Sequence, residues 1–219
     1  MIDKGHRPAT RRPSRREVQR QRTEAELVAV AAEVFAEFGY HGASTAFIAA
    51  RAGVPKANLH YYFSTKEALY RRVLEETMAG WLTAADPLDP AADPRAALGA
   101  YIADKLRWSR LRPDASRVWA REVMDGAPFI KAGLAPSLLP WFARTVNVLE
   151  GWMAAGKLRQ VDARHLLFQI WAATQHYADF SAQMGLYLAK PALDEEDFDA
   201  ASALLSATIL DGLIVNKNT

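Results

Sequence analysis

An all-α fold is predicted by three features of this 219-residue sequence. Ala, Leu, Arg and Glu, all good helix formers, are abundant, and β-branched residues rarely run together. Apolar residues recur at helical spacing, as in Leu27, Ala31, Val34, Phe35 and Phe38, which predicts one buried stripe. Between such stretches lie glycines and prolines, at Gly39, Gly53, Pro55 and Gly156 and through 85–94, where helices stop and start.

Taken in order, residues 1–16 place Pro8 and Pro13 among polar side chains and are expected to be a disordered basic arm. A first helix is expected from residue 17 or 22 to Phe38, with Gly39 as its stop. Ser44 or Thr45 caps a short helix that puts Ile48, Ala49 and Ala52 on one face. Gly53 ends it in the left-handed conformation, and Pro55 suits the first turn of a second short helix over 55–62. That helix buries Leu59 and part of the Tyr61, Tyr62, Phe63 cluster, with Phe63 as core, and turns Lys56, Ala57, Asn58 and His60 outward. Ser64 or Thr65 caps the next helix, and Glu67, three residues after Ser64, completes a capping-box pattern. This helix runs over 66–84 with Leu69, Val73 and Leu74 inward. The stretch 85–94 carries three prolines without periodicity and is the clearest break in the chain. Beyond it, helices are predicted over 94–111 and 114–124, a short piece near 128–134, and a longer helix over 137–155 that stops at Gly156. Asp162 then caps a helix reaching 188, and Asp194 caps a last one to 215. These two are rich in Ala, Leu and Ile and offer more apolar surface than one subunit covers.

Composition narrows the function. The absence of cysteine excludes disulfides and Cys-ligated zinc and suits a cytoplasmic protein. No run approaches the ~18 apolar residues of a membrane span, so no membrane association is expected. The net charge is +2, but residues 1–22 hold eight basic against two acidic residues, a local +6, which leaves −4 for the remainder. A basic arm of this kind adds salt-sensitive, sequence-independent phosphate contacts. No Gly-rich phosphate loop, nucleophile elbow or paired catalytic carboxylates are present, so no enzyme activity and no cofactor are expected. His176 and Asp179, with His165 eleven residues earlier, lack a third coherent metal ligand and are read as structural.

Two short helices joined by a Gly-containing turn form a helix-turn-helix pattern over 44–69. A short polar helix bearing Lys56 and Asn58 suits the major groove, where Asn pairs with adenine and Lys reaches guanine. Here the sequence resembles the TetR family of bacterial transcriptional regulators. The resemblance rests on Phe35 to Tyr40, Thr45, Ile48-Ala49, Ala52-Gly53-Val54, Leu59-His60-Tyr61-Tyr62-Phe63 and Lys66-Glu67-Ala68-Leu69. It implies a helix-turn-helix DNA-binding domain over 17–65 and a helical ligand-binding and dimerisation domain over 66–219. It also implies a homodimer on a pseudo-palindromic double-stranded operator, acting in the manner of a repressor. By the same resemblance, Lys56, Ala57, Asn58 and His60 sit at or near base edges. Tyr61 and Tyr62 meet phosphates or pack beneath the helix, and Thr45 and Lys66 grip phosphates.

The second part is similar to the branch of that family concerned with pyrimidine utilisation. The supporting residues include Lys105-Leu106, Ser109-Arg110, Pro113, Ala115-Ser116-Arg117, Gly126-Ala127-Pro128, Gly156-Lys157-Leu158 and Thr174 to Phe180. The resemblance implies a small-molecule effector of the uracil or thymine type. Trp171, Gln175 and Asp179 fall at i, i+4 and i+8, hence on one helical face. A Gln amide can donate to a ring carbonyl and accept from the adjacent N–H, while an indole stacks on the ring. Tyr101, Trp108 and Arg110 are further candidate wall residues. The alternatives are that Trp171 is core and Gln175 pairs across a dimer interface. At the level of function, the alternatives are an effector that is another small aromatic or hydrophobic compound, and a nonspecific DNA-coating protein.

Overall fold

A computed structural model describes residues 14–84 and 88–215, and every regular element among them is helical. Most of the expected arm, and residues 85–87 of the proline-rich break, lie outside the described residues. The chain forms α1 (Arg15–Gly42), α2 (Thr45–Arg51), α3 (Lys56–Tyr62), α4 (Lys66–Ala84), α5 (Pro94–Leu111) and α6 (Pro113–Met124). A π-helical turn (Ile130–Leu134) leads into α7 (Ala135–Ala154), followed by α8 (Ala163–Asp179), α9 (Ser181–Leu188) and α10 (Glu195–Leu205). A second π-helical turn (Ser206–Leu210) and a short α11 (Asp211–Leu213) complete the order, and the chain then pairs Ile214 with Leu158 in a lone antiparallel bridge.

Helix α1 starts inside the segment expected to be arm. Ser14 Oγ accepts from Glu17 N, and the Glu17 carboxylate accepts from Ser14 N, so a complete capping box fixes the start at Arg15. Gly39 does break this helix: at φ 70° and ψ 173° it lies where only glycine is at ease. The break turns Phe38 out of the expected stripe. It is 44% exposed, with its ring edge-on to Phe47 rather than in the core.

Two further expectations are corrected. The capping box proposed between Ser64 and Glu67 does not form. Thr65 Oγ1 accepts from Ala68 N at 3.0 Å, and Glu67 instead pairs with Arg71 at 2.8 Å. The single helix expected over 163–188 is two, broken at Phe180 (φ −117°, ψ 24°). Arg117 supplies the reason. Its guanidinium donates to Ala178 O at 3.2 Å, a carbonyl that a continuous helix gives to residue 182, and to Ser181 Oγ at 3.0 Å.

Burial divides into two clusters. The first joins Leu27, Val34 and Phe35 of α1, Ile48 of α2, Leu59 of α3 and Leu69, Val73 and Leu74 of α4. Phe63 packs there too, as expected. The second joins Leu98, Tyr101 and Ile102 of α5 with Leu149 and Trp152 of α7, Leu167 and Ile170 of α8 and Phe198 of α10. Helix α6 belongs to neither half alone. It sends Ala115 and Val118 into the first cluster, while its other side lines a groove with α8. Val118, fully buried there, contributes about 1.5–3 kcal/mol to holding α6 against α1 and α4.

Candidate DNA-binding and effector sites

The turn between α2 and α3 is built by backbone bonds alone. Val54 N donates to Ala49 O at 3.0 Å and Gly53 N to Ala50 O at 3.1 Å, a full Schellman closure. Gly53 takes φ 67° to allow it. Ser44 Oγ accepts from Phe47 N at 3.1 Å and so caps α2, with Thr45 as the first residue of that helix. Leu59 is fully buried under α3 and thereby fixes its rotation. Lys56, Ala57, Asn58, His60 and Tyr61 are consequently all exposed, Tyr61 at 72%. Tyr62 is half-buried, edge-on to Tyr61 at 5.2 Å between ring centres.

Lys66 is used differently from a free surface lysine. Its ammonium donates to Tyr40 O at 2.8 Å and Ala43 O at 3.0 Å and lies 4.6 Å from the centre of the Tyr40 ring. Two of its three N–H groups thus tie the end of α1 to the start of α4, which leaves one for anything outside.

In the second half, Trp171, Gln175 and Asp179 line one groove, of about 650 Å³, between α8 and α6. The facing wall comprises Arg117, Trp119, Ala120, Arg121, Val123 and Met124, with Phe180 at one end. Sequence reasoning missed this wall, because it exists only where α6 lies beside α8, and no spacing within α6 gives that pairing. Trp171 is half-buried. Its indole N–H donates to Tyr101 OH at 2.7 Å, and its ring stacks loosely on Trp141 at 6.1 Å. Asp179 accepts from Ser116 Oγ at 2.6 Å. Burial raises its carboxyl pKa above the usual carboxylate value, opposed by that hydrogen bond and by Lys105, Arg117 and His176.

The three remaining wall candidates lie elsewhere. Tyr101 is 1% exposed, and burial pushes its phenol up to about 12, so it supports Trp171 from behind. Trp108 packs against Gly80 and Trp81 in the first cluster, in a slot that only a glycine backbone leaves open. Arg110 pairs with Glu195 at 2.9 Å and lines a separate groove with Pro113 and Tyr177. Their residue types were informative, but their direction around α5 was not. As for metal, His176 stacks on Phe180 and His165 meets Phe168 edge-on, and no cluster of three ligating side chains occurs among the described residues.

A buried carboxylate ties three elements of the first cluster together. Glu122 of α6, 3% exposed, accepts from Phe129 N at 2.7 Å, Ile130 N at 3.2 Å and Tyr70 OH at 3.3 Å. One residue therefore holds the start of the π-helical turn and a side chain of α4 together.

Residues 27–73 match the family model of bacterial regulatory proteins, tetR family, and residues 74–216 match that of the C-terminal region of YcdC-like proteins. The chain belongs to the TetR family. This TetR-family chain is 37% identical over 187 residues to the HTH-type transcriptional regulator RutR of Escherichia coli K12, covering 85% of this chain and 88% of that one. A tetR-family regulatory protein from Rhodococcus RHA1 superposes with a TM-score of 0.70 at 20% identity, over 89% of this chain and 98% of that one, a likeness of fold. A transcriptional regulator of Streptomyces coelicolor gives 0.66 at 26% identity, over 87% and 98%. This TetR-family protein is therefore a DNA-binding transcriptional regulator of the RutR-like branch and not an enzyme. None of its helices among the described residues is long and apolar enough to cross a membrane.

Proposed function

We propose that the chain acts in the cytoplasm as a homodimer that reads a pseudo-palindromic operator and responds to a pyrimidine base such as uracil or thymine. The observation that carries the effector part is the shared groove. Gln175 stands between Trp171 and Asp179 on one wall, offering an amide donor and acceptor beside aromatic surface. A planar base with two carbonyls and two N–H groups matches that chemistry. The apolar side chains opposite, Trp119, Val123 and Met124, favour a second reading in which a larger aromatic compound is sensed.

The DNA part rests on α3, where Lys56, Asn58 and His60 stand clear of the core beside Tyr61. In the proposed roles these residues read or adjoin base edges, Tyr61 and Tyr62 approach phosphates, and Thr45 and the third N–H of Lys66 contact the backbone. The dimer is proposed to form through α8–α10, whose Phe180, Leu186, Tyr187 and Leu204 are each more than half exposed. Two-fold symmetry then sets the recognition helices roughly 34–36 Å apart, in successive major grooves. Operator binding measured against excess unrelated DNA tests the reading. Asn58→Ala or Lys56→Ala should lose about 1–3 kcal/mol on the operator and little on random DNA. Equal loss on both would reduce the protein to a nonspecific DNA coat.

A further inference from the structure

Beyond the groove floor, α4, α5, α6 and α8 enclose a cation that the roles above do not use. Lys105 of α5 is 2% exposed. Its ammonium sits 4.0 Å from the centre of the Trp81 ring, and no oxygen among the described residues accepts from it in a hydrogen bond or close ion pair. The Trp81 indole N–H is also buried and without a partner. The opposite charge acting on Lys105 is that of Asp179, whose oxygen is held by Ser116. Trp119 lies edge-on to Trp81 at 5.1 Å, and both Trp119 and Asp179 line the groove.

Unmatched donors are costly in an interior, and an ammonium most of all. A ring face recovers only part of that cost. A methionine or leucine would fill the same volume without it. The unpartnered Trp81 N–H and an ammonium that meets only a ring face, beside a carboxylate acceptor, are therefore complementary to something the protein itself does not supply. That partner presents a carbonyl oxygen on one edge and an N–H on the next. We propose that Lys105 and Trp81 are the inner, acceptor-binding pole of the effector site, taking the carbonyl oxygen of a cyclic lactam or imide whose N–H faces Asp179. This rests on the effector reading above and assigns its discrimination to Lys105. Rings with the carbonyl are retained and plain aromatic rings are not. Gln175, nearer the rim, then contributes orientation.

The test uses the full-length protein, Lys105→Met and Trp81→Phe. Calorimetry is run with uracil, thymine, succinimide (an imide without aromatic character) and indole (an aromatic ring without a carbonyl). The melting temperature is recorded without ligand. A carbonyl-bearing ring should bind the unmodified protein and lose tenfold or more with Lys105→Met, and several-fold with Trp81→Phe. Indole should not distinguish the three proteins. Lys105→Met should also melt higher than the unmodified protein in the absence of ligand, because a merely structural cation would leave a lower melting point when removed. If uracil binds the unmodified protein and Lys105→Met equally, the inner pole is refuted and the pyrimidine reading stands. If succinimide alone binds, and does so through Lys105, the pole stands and the pyrimidine reading falls. Silence from every carbonyl ring overturns both. Should Lys105→Met fail to fold, Trp81→Phe, which removes the N–H and shrinks the indole to a phenyl ring while Lys105 stays in place, decides the matter by the same comparison.

Discussion

Replacing Glu122 by leucine should unlock α6 from the helices that carry the DNA-reading half. The carboxylate is 3% exposed and accepts three bonds, from Phe129 N, Ile130 N and Tyr70 OH. Leucine fills much the same volume but accepts nothing. Each buried donor left unmatched costs about 1–3 kcal/mol, so the loss for three is on the order of 3–9 kcal/mol before compensation. Relief from burying a charge, and the partial exposure of Phe129, reduce this to about 2–4 kcal/mol. Glu122→Gln is the informative control. It keeps a carbonyl oxygen for the two backbone N–H groups and loses only charge assistance, for about 1 kcal/mol. Urea unfolding followed by circular dichroism and tryptophan fluorescence, at one fixed protein concentration, measures both. A Glu122→Leu variant within 0.5 kcal/mol of the unmodified protein, or a glutamine variant equally damaged, would refute the reasoning.

Two further outcomes follow from other parts of the molecule. Burial lowers the Lys105 pKa from 10.5 to about 7, so between those values the unfolded chain holds a proton that the folded chain does not. Stability should therefore rise with pH from about 7 to 9.5, by up to about 1.4 kcal/mol per unit, and Lys105→Met should abolish that slope. The range stops there because Tyr70 and Tyr101, whose pKa values are raised, reverse the sign above 10. Leu186 and Tyr187 are 77% and 79% exposed, so exchanging both for Asp should leave the single-chain fold intact. Sedimentation should then show monomers with weakened operator binding, whereas an unchanged dimer would place the interface elsewhere.

Most helix limits were legible because capping and stop residues act locally. Asp162 and Asp194 cap their helices, and Gly53 and Gly156 close theirs with positive φ. The exceptions involve tertiary competitors. Arg117 takes a carbonyl of α8 from 61 residues away, and Arg71 draws Glu67 away from Ser64. Periodicity placed Trp171, Gln175 and Asp179 on one face because they share one helix. It did not give the rotation of α5, so Tyr101, Trp108 and Arg110 could not be sorted into wall, core and rim. The facing wall on α6, and the buried Lys105 beside Trp81, arise only when four helices are brought together. No spacing within a single helix encodes them.

A pyrimidine held in the α6–α8 groove is proposed to change operator affinity. A ligand can do so only through different affinities for the DNA-competent and incompetent dimers. Calorimetric titration of uracil and thymine into the unmodified protein and Gln175→Leu, paired with operator binding with and without ligand, measures this most directly. Binding to the unmodified protein is expected, with a loss of about tenfold in Gln175→Leu, the equivalent of 1.4 kcal/mol for unmatched polar edges. Operator affinity should shift with ligand in the unmodified protein and match between the two proteins without it. No heat with either base, or binding that leaves operator affinity unchanged, would contradict the account.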